Sequence, residues 1–172
     1  MTPAPLRTTG PPTPHRRRDT TAPVLRSTIE RQHSVIFRLL IQAQEQVAAL
    51  LECPEDEREP DSQRAATEAI EQLGSELPAH FHWEETRGAL SDALEHAPQL
   101  DRRAQLLMAQ HDEFRVRVRH LVTIVQVAGS TRSRWFAVRG LLDELARDLS
   151  IHERWENRLI ADALVNDLGG GD

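Results

Sequence analysis

The stretch Val138–Ala163, VRGLLDELARDLSIHERWENRLIADA, decides the fold. Within it Val138, Leu142, Leu145, Leu149, His152, Glu156, Leu159 and Ala163 recur at alternating steps of four and three. That spacing places all eight on one stripe of an α-helix, the stripe that faces inward in a bundle. Three other stretches step the same way. The first carries Ile29, His33, Ile36, Leu40, Ala43, Val47 and Leu50, and the second Ala66, Ile70, Leu73, Leu77, His80 and Glu84. The third carries Leu100, Ala104, Leu107, His111, Phe114, Val118, Leu121 and Val125. Period-two alternation is not sustained anywhere, aromatic residues make up 4% of the chain, and the four stretches are rich in Ala, Leu, Glu, Gln and Arg. Helix is favoured over strand throughout.

Breakers separate the stretches at Cys53–Asp61, at Ala97-Pro98 and at Gly129-Ser130-Thr131. Short connections make neighbouring helices antiparallel, so the expected fold is an all-α, up-down-up-down four-helix bundle over residues 23–166. Six of the ten prolines fall in the first 23 residues beside Arg16-Arg17-Arg18, which predicts a disordered Pro/Arg-rich tail over 1–22. Residues 167–172 read as a flexible Gly-rich end.

Composition excludes several chemistries. All 21 basic residues are arginine, and tyrosine is absent. Schiff-base chemistry, pyridoxal attachment, a phosphate-binding P-loop lysine and a tyrosinate ligand are therefore ruled out. The single cysteine, Cys53, cannot form an internal disulfide or a thiolate zinc site, which with the lack of an apolar membrane-spanning or signal-peptide stretch predicts a cytoplasmic protein. Residues 1–26 carry a net +4 and the remainder −10, within a total of −6. The folded part should not attract nucleic acid.

The stripe also carries chemistry. Each predicted helix puts one histidine where leucine would otherwise sit, and two add a glutamate: His33, His80, Glu84, His111, His152 and Glu156. A buried polar group needs a partner and a buried charge needs one more. One seam histidine is ordinarily a hydrogen-bonded core residue; four on four helices call for a common cause. With helices starting near 23 and 99 and ending near 94 and 166, all six lie about 10–14 residues from the same end of the bundle, roughly 15–20 Å at the helical rise. Imidazole and carboxylate without thiolate suit iron, manganese or zinc. Glu84 and Glu156, each following a histidine by four, are the expected bridges, because a carboxylate can span two metals and an imidazole cannot.

His80-Phe81-His82-Trp83-Glu84-Glu85 resembles the HFxxEE signature of the hemerythrin-like (HHE cation-binding) domain family. The order His33, His80-x-x-x-Glu84, His111, His152 is similar to that family's ligands helix by helix over residues 24–166. The resemblance implies a four-helix bundle holding two non-heme iron ions that meet oxygen, peroxide or nitric oxide. Two positions depart from the oxygen carriers: Arg115 stands four residues after His111 where they have histidine, and Asn157 stands five after His152 where they have aspartate. Glu156 is the expected substitute carboxylate. The reduced H-HxxxE-H-HxxxE pattern is similar to a subset linked to peroxide breakdown, some of which use a tyrosine ligand that this chain lacks. The implied function is a di-iron protein that binds and breaks down a small oxidant; the alternative is an iron- or oxygen-binding or sensing module without turnover. A third reading is a metal-free bundle whose histidines hydrogen-bond the glutamates.

Other candidates are weaker. His82 and His120 lie off the stripe and read as surface groups, His96 falls in a loop and His15 in the tail. Glu85 and Glu153 flank the layer as solvated residues or as acceptors for an imidazole N–H. Arg115 either pairs with Asp112 or Glu113 or attracts an anion. Trp83, Trp135 and Trp155 read as packing residues, and Cys53 has no basic neighbour to activate it.

Overall fold

The computed structural model describes residues 21–54, 60–88, 98–127 and 131–169. They form four helices: α1 (Thr21–Glu52), α2 (Pro60–Arg87), α3 (Asp101–Gln126, entered through a 3₁₀ turn at Pro98–Leu100) and α4 (Arg132–Gly169). Cross-helix pairs fix their directions. Arg103 meets Asp162 and Arg117 meets Asp148, so rising number on α3 goes with falling number on α4. His33 with Glu156 and Gln44 with Asp143 show the same for α1 and α4, and Glu85 with Arg115 and Glu71 with Gln126 for α2 and α3, which leaves α1 antiparallel to α2. Each helix packs on the next and α4 closes on α1, giving the up-down-up-down bundle that the seams predict.

The seams are the core. From His33 onward every described seam residue is buried except His80 and Val125, which are half-buried. A large apolar cluster runs from Leu50, Ala66 and Leu121 to Phe81, Phe114 and Leu149, drawing on all four helices. A smaller one, Leu100, Ala104, Leu107, Leu159 and Ala163, closes the far end between α3 and α4. On the α3 and α4 seams, His111, His152 and Glu156 lie between these two clusters.

Three helix ends depart from the sequence expectations. α2 stops at Arg87, not near 94. At Gly88 the chain returns so closely that a Cβ would lie 2.6 Å from Glu84 Cα and 2.9 Å from the Trp83 ring, a path open only to glycine. α2 also continues through Pro78, whose ring nitrogen cannot donate to the Gly74 carbonyl. Gly74 itself lets α2 and α3 approach, since a Cβ there would sit 2.5 Å from Val122 Cγ2. The outer bounds at Thr21 and Gly169 lie two or three residues beyond the expected 23 and 166, as helix ends commonly do. The rest of the Pro/Arg-rich tail, the last three residues of the Gly-rich end, and His15 and His96 lie outside the described residues. Among the described residues no helix is long and apolar enough to cross a membrane.

Candidate metal centre

Among the described residues, the buried polar or charged side chains are His33, Glu84, His111, His152 and Glu156. The sixth sequence candidate, His80, has a side chain only 7% exposed. All six come from inward stripes, so the same periodicity that builds the core delivers them to one layer.

Within that layer two groups of donors form. His33, His80 and Glu84 make one, and Glu84, His111 and His152 the other, with the donor atoms of each group within 4.8 Å of one another. Glu84 joins them. Its Oε1 lies 3.0 Å from His33 Nε2 and 2.8 Å from His80 Nε2, while its Oε2 lies 3.6 Å from His111 Nε2. That is the placement expected of a bridging carboxylate. Glu156, on α4, is fully buried and sits 3.4 Å from His33 Nε2, beside the first group and in neither set of three.

Four imidazoles are oriented from outside. His80 Nδ1 faces Gln32 Oε1 at 3.3 Å, His111 Nδ1 faces Glu85 Oε1 at 2.9 Å, and His152 Nδ1 faces Gln110 Oε1 at 2.8 Å. His33 Nδ1 lies 3.8 Å from Glu153 Oε1. Each helix thus offers an acceptor to a histidine of its neighbour, α1 to α2, α2 to α3, α3 to α4 and α4 back to α1. The hydrogen bonds to Gln32, Glu85 and Gln110 assign the ring proton of His80, His111 and His152 to Nδ1 and turn those three Nε2 atoms inward, the arrangement that positions metal-binding imidazoles; His33 Nε2 points inward as well, against Glu84 Oε1.

Away from His33 the inner surface is short of donors. His111 Nε2 and His152 Nε2 stand 3.0 Å apart, lone pair toward lone pair in these tautomers. Glu84 Oε2 and both Glu156 oxygens have no hydrogen-bond donor among the described residues. Buried carboxylate oxygens without partners are costly, and inward imidazole nitrogens beside them are the donor set that a divalent cation satisfies. An ion about 2.1 Å from each ligand holds those ligand atoms about 3–4 Å apart, the scale of the spacings here. The residues fit a metal, and the cluster can hold at least one ion.

Electrostatics divide the layer. Burial works to lower the His33 pKa, but Glu156 and Glu84 against the ring, with Glu153 behind, outweigh it and raise the pKa to about 10. Burial alone would raise Glu84; His33 and His80 reverse that and hold it well below the usual carboxylate range. Burial pushes Glu156 up to about 7 against the pull of His33. On the other side, burial and then the neighbouring His111 lower His152 to about 3, and burial lowers His111.

Phe81 walls the layer toward the main core. It stacks on His111 with centroids 4.2 Å apart, and Phe114 meets His152 edge-on at 5.4 Å. Arg115 is held by both Glu85 oxygens at 2.9 and 2.8 Å and by Asp112 at 2.9 Å, so of its two sequence readings the acid pairing is the one present, extended to Glu85. His82 and His120 are exposed, as expected. Trp135 is a core residue, whereas Trp155 is 52% exposed and lines a surface groove with Leu106, Leu107 and Leu159. Its packing role is corrected accordingly, since position 155 faces away from the seam.

Sequence reasoning did not single out Gln32 and Gln110. A signal was present: a glutamine directly precedes the seam histidine in both α1 and α3. No family model matches the chain, and no curated protein or solved structure is significantly similar to it.

Proposed function

We propose that this chain is a hemerythrin-like di-iron protein that binds and breaks down peroxide. The observation that carries the reading is the inward convergence of four imidazole Nε2 atoms on Glu84 and Glu156, with three buried carboxylate oxygens lacking any donor among the described residues. A metal-free network of His33, His80 and Glu84 satisfies one Glu84 oxygen and leaves those three unpaired. The HFxxEE-type signature and the ligand order of the four helices favour iron within the class of metals that this donor set accepts.

His33, His80 and Glu84 would hold one ion and Glu84, His111 and His152 the other, with Glu156 at hand for the first. Bound iron would supply Lewis acidity and reversible one-electron steps. The chain's own part is positional. Gln32, Glu85 and Gln110 keep three imidazole nitrogens aimed inward, Phe81 and Phe114 exclude water from one side, and three protein donors at each position leave room for an exogenous ligand. In the overall reaction one hydrogen peroxide is oxidised to oxygen, giving two electrons and two protons to a second, which becomes two waters.

Protein purified from iron-supplemented cells should contain two irons per chain. Its oxygen evolution from hydrogen peroxide should exceed that of the same amount of free iron and fall in His111→Ala. An iron-free product would refute the metal reading. A reversible oxygen adduct without peroxide consumption would replace turnover by carriage or sensing.

A further inference from the structure

The two halves of the layer share a plan but differ in charge. The first position faces Glu84, with Glu156 Oε2 3.4 Å from His33 Nε2 and Glu153 Oε1 3.8 Å behind His33 Nδ1. The second shares Glu84, and the carboxylate behind its His111 is Glu85. Glu85 is bound through both oxygens by Arg115, a fixed cation whose own second hand rests on the exposed Asp112. Among the described residues no arginine contacts Glu153, whose charged neighbour is His33 itself, and Glu156 lies within ion-pair distance of His33 but of neither His111 nor His152. The first position therefore sees three carboxylates. The second sees one shared carboxylate and one whose charge Arg115 already offsets.

From this we infer that the two positions fill in order: the His33–His80–Glu84 position takes the first divalent ion, and the Glu85–Arg115 pair keeps the His111–His152 position the weaker, exchangeable one. The inference rests on the metal reading above and adds to it a role for Arg115, which touches no proposed metal ligand through a hydrogen bond. A unit charge several ångströms from an ion in a partly buried setting is worth on the order of 1–2 kcal/mol, about a tenfold change in affinity. Arg115 acts through Glu85. By drawing that carboxylate's charge outward it limits how strongly His111 is polarised as a donor.

The test is an anaerobic calorimetric titration of the metal-free full chain with cobalt(II), whose absorption also reports the ligand field. The parent should bind in two steps, the first at least about tenfold tighter. His80→Ala should remove the tight step, and His152→Ala should remove the weak step and keep the tight one. The Arg115 side chain is 21% exposed, and circular dichroism checks that Arg115→Gln folds as the parent does; the variant should tighten the weak step about tenfold and leave the tight step in place, while Arg115→Lys should preserve the parent's order. Two equal steps, loss of the tight step in His152→Ala, or an unchanged weak step in Arg115→Gln would each overturn the loading order while the metal reading stands. A titration of the parent with no binding at all would overturn the metal reading itself and the order with it.

Discussion

Leu149 and His152 stand one helical turn apart on the same face of α4, and each is 2% exposed. One belongs to an apolar cluster that ends with it, the other to a layer of imidazoles and carboxylates. Position on the seam fixes burial in both cases; only side-chain chemistry decides what that burial does. In the apolar stretch, burial removes hydrocarbon from water and stabilises the fold. In the polar layer it strips water from groups that the fold does not fully pair, a cost that the apolar stretch has to offset.

The sharpest way to break this contrast is to cut into each region and compare signs. Leu142 is fully buried among side chains of the main cluster. Leu142→Ala should lose about 2–5 kcal/mol, seen as a lowered urea midpoint at constant m-value, in the presence or absence of metal. Glu156 should behave in the opposite way. It is equally buried, neither of its oxygens has a hydrogen-bond donor among the described residues, and burial outweighs the pull of His33 on its charge, so Glu156→Leu should raise the stability of the metal-free chain above pH 7 and weaken metal binding. A Glu156→Leu chain that is less stable than the metal-free parent would show that the pairing of this carboxylate with His33 outweighs the cost of burying it.

The same contrast explains what could be read from the sequence. The bundle and its polar layer follow from steps of four and three, because a seam position is buried whatever residue occupies it. Glu84 as the link between two donor groups also follows from its place four residues after His80. What escaped the reading depends on neighbours that periodicity does not name. Gln32 and Gln110 lie just off their own seams, and each serves a histidine of the next helix. The Glu85–Arg115 pair spans α2 and α3, and the early end of α2 turns on the close approach at Gly88. Glu156 was expected to bridge by analogy with Glu84, yet it contacts His33 across the bundle and is set apart from His152 on its own helix.

Proton concentration offers a further probe of the polar layer in the metal-free chain. His152 is held neutral by burial and by His111, to a pKa of about 3 against 6.5 for the ordinary residue. As pH falls below 6.5 the unfolded chain takes up this proton first. The stability tied to His152 is thus intact above 6.5 and is lost progressively down to about 3. Glu156 acts in the reverse sense between 4.5 and 7, since its folded form keeps a proton that the unfolded chain releases. Comparing the parent with His152→Leu isolates the histidine. The variant's stability, followed by urea midpoints between pH 6.5 and 4.5, should fall less steeply with acid by up to about 1.4 kcal/mol per pH unit. Parallel curves for the two proteins would mean that His152 titrates normally.

The smallest effect belongs to ionic contacts outside the layer, and it shows that burial, not charge, makes the layer distinct. Arg103 Nη1 donates to Asp162 Oδ2 at 2.6 Å, linking α3 to α4 beside the smaller apolar cluster, whose Ala104 and Ala163 are their chain neighbours. The contact is shorter than that between His33 and Glu84, yet its side chains are 40% and 42% exposed. Water and salt therefore compete for both charges, and holding two long side chains in one geometry costs entropy that offsets much of the attraction. Arg103→Ala should lower stability by no more than about 1 kcal/mol, and most of that difference should vanish in 1 M salt, where charges are screened within about 3 Å. Its cobalt(II) titration should match the parent's. A loss as large as that of Leu142→Ala, or one indifferent to salt, would mean that the arginine stem packs as part of the smaller cluster, and that the boundary between core and surface at this end lies farther out than its exposure indicates.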